Sequence, residues 1–346
     1  ERAIQFLTDL KNSSVAVFFH DDGDGICSAC VMKRFAEREE VDASFTSIAM
    51  PPSSEQKKRM VTTPSNRFVL LDLGMDQFPS VIHSLEKKGK VLIIDHHKVH
   101  NNMNSENVIH YNPLLWKENV YLAASLLTYE LCSEITDLND CAWIAAIGVI
   151  SDCNVKDARF FLSKVKKMYP GFLKDVENPF DSKFGKLVQY ISAVRSHGIS
   201  CETIMERLSK FSSPHEMLHD DWFKSYFTRF LVEMENEIEN ARSKSLKFGS
   251  FLFHELKSRL RIRSELATRL SFLFPDKIVF VYKVSNDMAK ISVRTQRDID
   301  LYSFLKDVLS NFSFKNFGGH KRACAIEMSM NEFQKFIEYL KSLRLP

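Results

Sequence analysis

With 346 residues the chain is long enough for two domains, and its 45% hydrophobic and 26% charged residues predict a globular protein and exclude a disordered one. No apolar run reaches the roughly 18 residues of a transmembrane helix, and the first residues lack the apolar core of a signal peptide, so a cytoplasmic, intracellular protein without a membrane partner is expected. The seven cysteines are scattered and odd in number, which predicts a reducing compartment rather than a disulfide framework.

The net charge of +3 is unevenly distributed. Residues 246–346 contain 18 Lys and Arg against 10 Asp and Glu, whereas residues 1–245 contain 29 against 34. The acidic part suits metal binding and the basic part suits a polyanion. Charge differences of this kind are also common between domains without any functional meaning.

In the first half of the chain, short β-branched runs alternate with amphipathic helical patterns. Strands are predicted at residues 15–19, 43–49, 67–71 and 91–94, and helices at residues 27–38, 78–88, 120–132 and 141–150. This alternation predicts an α/β fold with a parallel sheet and helices on both faces. In such folds, ligands bind beyond the carboxyl ends of the strands.

Acidic residues and histidines follow the predicted strands. They are His20, Asp22 and Asp24 in HDDGDG, Asp72 in VLLDLG, and Asp95, His96 and His97 in LIIDHH; Asp152 ends AAIGVISD, an apolar helix or strand. Carboxylates this close repel one another unless a cation neutralises them. Their convergence at one sheet edge therefore predicts a divalent metal site, and mixed carboxylate and imidazole ligation favours Mn²⁺.

Other histidines and cysteines are assigned no chemical role. Cys27 and Cys30 form a C-x-x-C inside a predicted helix and have no second pair for a zinc site, so they are expected to be ordinary buried residues. His100 and His110 are expected in surface loops.

Beyond the first half, residues 191–245 are highly charged with a helical pattern and are predicted to form a helical connector. Residues 246–346 read as a mixed α/β segment that contains the motif NFGGHKRACA. Its glycines, Gly318 and Gly319, allow a close approach of the backbone to an anion. Arg294 is suited to clamp a phosphate bidentately.

Taken together, the motifs resemble a known family. HDDGDG, LDLG, DHH and GVISD, in this order, resemble the DHH phosphoesterase superfamily, and SVR at 292–294 and GGH at 318–320 resemble its DHHA1 domain. The sequence is most similar to RecJ-like single-strand exonucleases of archaeal type, which are relatives of Cdc45. The resemblance implies a DHH catalytic domain at residues 1–190, a helical connector at 191–245 and a smaller mixed α/β DHHA1 substrate-binding domain at 246–346.

The resemblance also implies a role for each motif residue. Two Mn²⁺ ions, with Mg²⁺ or Co²⁺ as substitutes, would be held by His20 and Asp22 at one position and by Asp24, His96 and Asp152 at the other, with Asp72 between them. His97 would face the scissile phosphate, and Asp95 would orient His96 or His97.

In the DHHA1 part, the resemblance implies a domain that grips the backbone of a single strand opposite the metal site. The residues expected to contact substrate are Arg294, Gly318, Gly319, His320, Lys321 and Arg322. The alternative is a simple glycine turn between two elements. Phe317 stands where the family often has glycine, and its ring would either stack on a base or belong to the core.

The function implied is that of a Mn²⁺-dependent exonuclease that hydrolyses single-stranded DNA or RNA to mononucleotides, in DNA replication, DNA repair or RNA turnover. One alternative is a phosphodiesterase or phosphatase acting on short oligonucleotides, cyclic dinucleotides or phosphoadenosine phosphate. Another is a Cdc45-like replisome scaffold that binds the GINS complex.

Overall fold

The computed structural model describes residues 1–343, except for the side chain of His320. The chain divides into two compact units. The first consists of Glu1–Arg195 with Ile199–Phe227, and the second of Ser196–Gly198 with the chain from Thr228 onward. Among the described helices, none combines the length and the hydropathy that crossing a membrane requires.

The first unit is built on a five-stranded sheet in which every neighbouring pair is parallel. Its strands are β1 (Ser14–His20), β2 (Asp42–Ile48), β3 (Arg67–Leu71), β4 (Lys90–Ile94) and β5 (Val108–Tyr111), in the spatial order β2-β1-β3-β4-β5. The predicted parallel sheet is confirmed. The short strand β5 was not predicted, and because His110 lies buried within it, the assignment of His110 to a surface loop is wrong.

Helices cover both faces of this sheet. In chain order, the helices are α1 (Arg2–Thr8), α2 (Gly23–Arg38), α3 (Ser54–Thr62), α4 (Pro79–Glu86), α5 (Ala124–Ser133), α6 (Ala142–Ser151), α7 (Arg159–Met168), α8 (Lys183–Ser196), α9 (Cys201–Leu208) and α10 (Pro214–His219). They are followed by α11 (Asp221–Lys244), which begins in the first unit and continues into the second. Alternate residues of β1 face opposite sides. Val17 and Phe19 share a core with α2, α5 and α6, whereas Ala16 and Phe18 share one with α3 and α4.

The helix α2 starts in a tight turn directly after β1. Asp22 is its N-terminal cap and accepts a hydrogen bond from the backbone N–H of Gly25 at 2.9 Å. A Cβ at Gly25 would lie 2.2 Å from the carbonyl oxygen of His20, so the turn requires glycine. Further along α2, Cys27 and Cys30 are fully buried, and burial raises the pKa of both thiols, which suits a packing role.

The segment AAIGVISD belongs to α6, a helix buried on all sides. Its residues from 142 to 150 are all buried, which explains why its sequence is apolar throughout and lacks an amphipathic period. Gly148 permits the close approach of α6 to the site, because a Cβ there would lie 2.2 Å from Oγ of Ser125 and 2.7 Å from Oδ1 of Asp24.

The second unit contains a six-stranded mixed sheet. Its strands are β6 (Leu246–Phe248), β7 (Phe251–Glu255), β8 (Ile278–Ser285), β9 (Met288–Thr295), β10 (Asn316–His320) and β11 (Ala323–Ser329), in the order β10-β11-β9-β8-β7-β6. Only β7 and β8 pair in parallel among these described strands. The helices α13 (Leu301–Leu309) and α14 (Met330–Ser342) pack into the core on one face, and α12 (Arg263–Leu273) contacts β8 and β9. The predicted mixed α/β character is confirmed.

Candidate active site

The carboxyl edge of the parallel sheet carries the motif side chains of the first unit. His20 ends β1, Asp72 directly follows β3, and residues 95–97 directly follow β4. Asp152 caps the carboxyl end of α6. Because parallel strands bring their carboxyl ends to one edge, segments that are far apart in sequence meet here.

Asp72 occupies the centre of this edge in an unusual backbone conformation. Its φ of +62° lies in the left-handed region that residues other than glycine rarely adopt. Its N–H donates to the carbonyl oxygen of Ile94 at 2.9 Å, and its side chain is 1% exposed. Strained backbone of this kind is found preferentially at functional sites.

The first candidate ligand group consists of His20, Asp22 and Asp72, with one ligand atom of each within 4.8 Å of the others. Nδ1 of His20 lies 2.9 Å from Oδ2 of Asp22 and 3.4 Å from Oδ2 of Asp72. Burial alone would lower the pKa of His20, but the two carboxylates raise it to about 11.

The second group consists of Asp24, His96 and Asp152, again with ligand atoms within 4.8 Å of one another. Asp24 is 1% exposed, and its two carboxylate oxygens accept hydrogen bonds from the first backbone N–H groups of α5, those of Ala124 at 2.7 Å and Ser125 at 3.0 Å. Nδ1 of His96 lies 3.6 Å from Oδ2 of Asp152.

Asp72 connects the two groups. Its Oδ2 atom faces His20, and its Oδ1 atom lies 3.0 Å from Nε2 of His96. Burial alone would lower the pKa of His96, but its contact with Asp72 and the nearby Asp24 raises it to about 10. Burial raises the pKa of Asp24, and the negative charge of Asp72 raises it further. The edge thus holds an excess of buried negative charge that divalent cations would neutralise.

Three buried atoms at this edge make no hydrogen bond of good geometry within the described part of the chain. They are Nδ1 of His20, Oδ2 of Asp72 and Nδ1 of His96. Nδ1 of His20 lies 2.9 Å from Oδ2 of Asp22 as an ion pair. Buried polar atoms normally have partners, and imidazole nitrogen and carboxylate oxygen are ligands of divalent transition metals. The donor set therefore fits metal ions.

Asp95 is buried and is held by hydrogen bonds on both of its carboxylate oxygens. Its Oδ2 atom accepts the N–H of Gly74 at 2.9 Å, and its Oδ1 atom accepts the N–H of His96 at 2.8 Å and contacts Nδ1 of His97 at 2.7 Å. This geometry suits the predicted orienting role, with His97 rather than His96 as the imidazole that it holds. The side chain of His97 is 40% exposed.

Tyr121 is a site residue that the sequence analysis missed. Its hydroxyl donates to Oδ2 of Asp152 at 2.5 Å, and its ring centroid lies 4.8 Å from that of His96. Burial and the contact with Asp152 raise the pKa of the phenol. No motif marks a lone tyrosine in the stretch ENVYLAA, so only the folded chain identifies it.

In the second unit, strand register brings SVR and GGH to one face. Across the neighbouring strands β9, β11 and β10, Ser292 pairs with Ala325, which pairs with Gly318. In the same way, Arg294 pairs with Ala323, which pairs with His320. A Cβ at Gly318 would meet nothing within 4 Å, so the surface above this row is open. The side chain of His320 lies outside the described residues.

Two arginines lie together on this face. Arg294 donates to Oγ of Ser264 at 2.6 Å and to Oγ1 of Thr268 at 3.3 Å, while Nε of Arg263 donates to Oγ of Ser292 at 3.0 Å. Burial lowers the pKa of both guanidinium groups, since nearby carboxylates compensate only in part. Arg263, which lies outside every motif, was also missed from the sequence. The pair fits an anion such as phosphate.

The remaining predicted substrate residues lie at the end of the β10–β11 hairpin. Gly319 has φ +145°, and a Cβ there would lie 2.2 Å from the carbonyl oxygen of Ala323, so glycine is required. Lys321 and Arg322 form the exposed turn, and Nζ of Lys321 lies 3.7 Å from Asp298.

Phe317 lies on the opposite face of the sheet from Gly318. It pairs with Ile326 of the core and stacks on Tyr302, with ring centroids 5.1 Å apart. Of the two alternatives for this ring, the structure favours core packing.

Family models match both units. The model of the DHH family, N-terminal domain, covers residues 14–149, and that of the DHHA1 domain covers residues 254–343. No curated protein matches the chain by sequence.

Among the solved structures that share the fold are RecJ, CDC45 and a phosphodiesterase, all at low sequence identity. RecJ in complex with Mn²⁺ from Thermus thermophilus has a TM-score of 0.75 and 15% identity, covering 99% of this chain and 54% of that chain. CDC45 from Entamoeba histolytica has a TM-score of 0.54 and 12% identity, covering 98% and 96%. A pGpG-specific phosphodiesterase from Vibrio has a TM-score of 0.54 and 13% identity, covering 95% and 98%.

The chain spans about half the length of the Thermus thermophilus RecJ chain that it matches. Its fold is the α/β fold of RecJ. With a DHH domain followed by a DHHA1 domain, the chain belongs to the DHH family.

Proposed function

We propose that this DHH-family phosphoesterase is a Mn²⁺-dependent exonuclease that hydrolyses phosphodiester bonds of single-stranded DNA or RNA to mononucleotides. The observation that carries the proposal is the pair of ligand groups joined by the buried carboxylate of Asp72. Two divalent ions bound side by side stabilise the attacking and leaving oxygens of an in-line displacement at phosphorus.

In this proposal each side chain of the first unit has a defined task. His20 and Asp22 would hold one Mn²⁺, Asp24, His96 and Asp152 would hold the other, and Asp72 would contribute to both sites. His97, held by Asp95 and partly exposed, donates a hydrogen bond to the scissile phosphate. RecJ from Thermus thermophilus has been solved with Mn²⁺ and with Mg²⁺, and the imidazole ligands favour Mn²⁺ of the two.

The second unit supports a polymeric substrate. Phosphate contacts provide most of the affinity for nucleic acid, and the paired arginines, Arg263 and Arg294, offer guanidinium groups that carboxylates only partly neutralise. The proposed substrate contacts on or next to the same face are Gly318 and Gly319 in β10, His320 at its end, and Lys321 and Arg322 in the turn that follows. The excess of Lys and Arg in residues 246–346 supports the same conclusion.

A second candidate is a phosphodiesterase that acts on dinucleotides or other short substrates. The fold shared with a pGpG-specific phosphodiesterase favours it. Such an enzyme would turn over a dinucleotide well and gain little from a longer strand, whereas the exonuclease would gain affinity with length.

The fold shared with CDC45 also supports a replisome role, in which the chain would bind GINS. The buried ligand atoms without partners argue against a purely structural use of the site, because leaving them unsatisfied costs stability. Docking on a replisome in DNA replication or repair remains compatible with catalysis.

The decisive experiment uses a single-stranded oligonucleotide labelled at either end, a dinucleotide, and the full chain with Mn²⁺, Mg²⁺, Co²⁺ or a chelator. We expect wild type to release mononucleotides with Mn²⁺. Asp72→Asn should lower the cleavage rate by at least about 100-fold, because losing even a residue that only hydrogen-bonds to a metal ligand lowers metal affinity or activity by 10- to 100-fold. Asp21→Asn, a half-exposed neighbour in the same acidic motif, is the matched control. Cleavage of the dinucleotide alone would support the second candidate, and no cleavage of any substrate would contradict both.

A further inference from the structure

Tyr121 touches two members of the second ligand group, through its hydroxyl to Asp152 and through its ring to His96. We propose that Tyr121 is a positioning residue that holds the Asp152 carboxylate in the orientation needed to bind the metal. This inference rests on the proposed function, because it assumes that Asp152 is a metal ligand.

Asp152 is less firmly held than Asp24, the other carboxylate of its ligand group. Asp24 is fixed by two backbone N–H groups at the start of α5. Asp152 caps the end of α6, its side chain is 21% exposed, and within the described residues the hydroxyl of Tyr121 is its hydrogen-bond donor. A half-buried carboxylate with one donor has several rotamers available, so this hydrogen bond selects among them.

The backbone around Tyr121 is itself held in place. Its N–H donates to Oδ2 of Asp157 at 2.8 Å, and its carbonyl oxygen accepts from the side-chain amide of Asn154. The same buried Asn154 accepts the N–H of Ala123 through Oδ1 at 2.9 Å. The loop that carries the phenol is therefore tied to the loop that follows Asp152, and the two groups are presented to each other with little freedom.

The oxygen that Tyr121 contacts is also the one that faces the ligand group. Oδ2 of Asp152 receives the phenol and lies 3.6 Å from Nδ1 of His96, one of the unsatisfied buried atoms. The ring of Tyr121 packs at 58° against the ring of His96. Loss of the hydroxyl would release the carboxylate but leave the ring contact intact.

The test measures Mn²⁺ binding by calorimetry on the metal-free full chain, together with its melting temperature. Tyr121→Phe should weaken Mn²⁺ binding about 10- to 100-fold, the usual effect of removing a partner of a metal ligand, without lowering the melting temperature. Tyr169→Phe, which alters a partly buried tyrosine packed on Phe184, is the matched control and should bind like wild type.

A double-mutant cycle separates positioning from other roles. In the Asp152→Asn background, Tyr121→Phe should cause no further loss of Mn²⁺ affinity. If Tyr121→Phe bound Mn²⁺ as tightly as wild type, the inference would be overturned. If its KM for the substrate were raised at the same time, Tyr121 would be a substrate contact instead. A lower melting temperature of the metal-free variant would also overturn it, in favour of a structural role. If wild type itself bound no Mn²⁺, the proposed function would fail with it.

Discussion

Nδ1 of His97 lies 2.7 Å from Oδ1 of Asp95, an oxygen that also accepts the backbone N–H of His96. Burial alone would raise the pKa of Asp95, but the hydrogen bond with His97 lowers it to about 2. Asp95 therefore stays ionised at neutral pH and fixes the ring of His97. Although Asp95 also lies in a cluster with Asp72, His96 and His97 that could hold a metal ion, this contact supports the predicted orienting role.

This relationship predicts that His97 serves the reaction rather than metal binding. His97→Gln should lower kcat by about 10²- to 10⁴-fold, the range found for side chains that handle a proton or stabilise charge in the transition state. Mn²⁺ affinity, measured by calorimetry, should be retained. His100→Gln alters an exposed histidine in the same loop and should behave like wild type. A parallel loss of Mn²⁺ affinity in His97→Gln would mean that His97 is itself a ligand.

Gly148→Ala should damage the site although alanine favours helices by about 1 kcal/mol over glycine. The added Cβ would lie 2.7 Å from Oδ1 of Asp24 and 2.2 Å from Oγ of Ser125, both in well-packed surroundings. We expect lower Mn²⁺ affinity and a lower melting temperature, measured by calorimetry and thermal unfolding. A variant with a higher melting temperature and normal Mn²⁺ binding would show that α6 need not approach Asp24 this closely.

Arg294→Gln should weaken binding of a single-stranded oligonucleotide and reduce its salt dependence. Each phosphate contact contributes about 0.7 to the slope of log K against log salt for a single strand, so one lost contact should reduce the slope by about that amount. Fluorescence anisotropy over a salt series measures it. Arg242→Gln, which alters a half-exposed arginine paired with Glu239, is the control. An unchanged slope in Arg294→Gln would exclude a phosphate contact at this position.

The burial and hydrogen bonds of Glu237 predict that this residue makes a pH-dependent contribution to the stability of the second unit. It is 3% exposed and accepts hydrogen bonds from Nε2 of His254 at 2.9 Å and from the backbone N–H of Lys257 at 3.0 Å. Burial would raise its pKa, but these bonds and one from Ser258 lower it below its usual range. Folding thus favours the ionised carboxylate. The stabilisation of the folded state by the Glu237 carboxylate is complete above the usual glutamate pKa of about 4.3. It is lost as the pH falls through and below that value.

Glu237→Gln should therefore destabilise the chain at pH 7 by about 1.5–3 kcal/mol, the range for hydrogen bonds to charged groups. The difference from wild type should shrink as the pH is lowered toward 3. Urea unfolding at several pH values measures it, with Glu235→Gln, an exposed residue of the same helix, as the control. A difference independent of pH would show that the charge of Glu237 is not what stabilises the fold.

Much of the first unit could be predicted from the sequence because its signals are local. The apolar runs of β1, β3 and β4 stand out, and their alternation with helices requires parallel pairing. Parallel strands place their carboxyl ends at one edge of the sheet, so the sequence alone predicted that His20, Asp72 and His96 lie close together. Their roles as Mn²⁺ ligands stay predictions that the experiments above address.

Other features depend on contacts between segments that are distant in the chain, and the sequence did not predict them fully. The helix predicted at residues 141–150 is present as α6, but the segment AAIGVISD at its end has no amphipathic period, so the sequence of that segment did not distinguish helix from strand. The strand β5 is only four residues long, too short for its pattern to stand out, and its pairing with β4 is what makes it a strand.

The sequence by itself determined which ligand types meet at the sheet edge, because strand ends and charges can be read along the chain. Only the tertiary structure decided how those ligands are held. The phenol of Tyr121 on Asp152, the guanidinium of Arg263 beside Arg294, and the face on which Phe317 lies all follow from loop packing and strand register. Such contacts join residues far apart in the chain, and no local pattern of residue types encodes them.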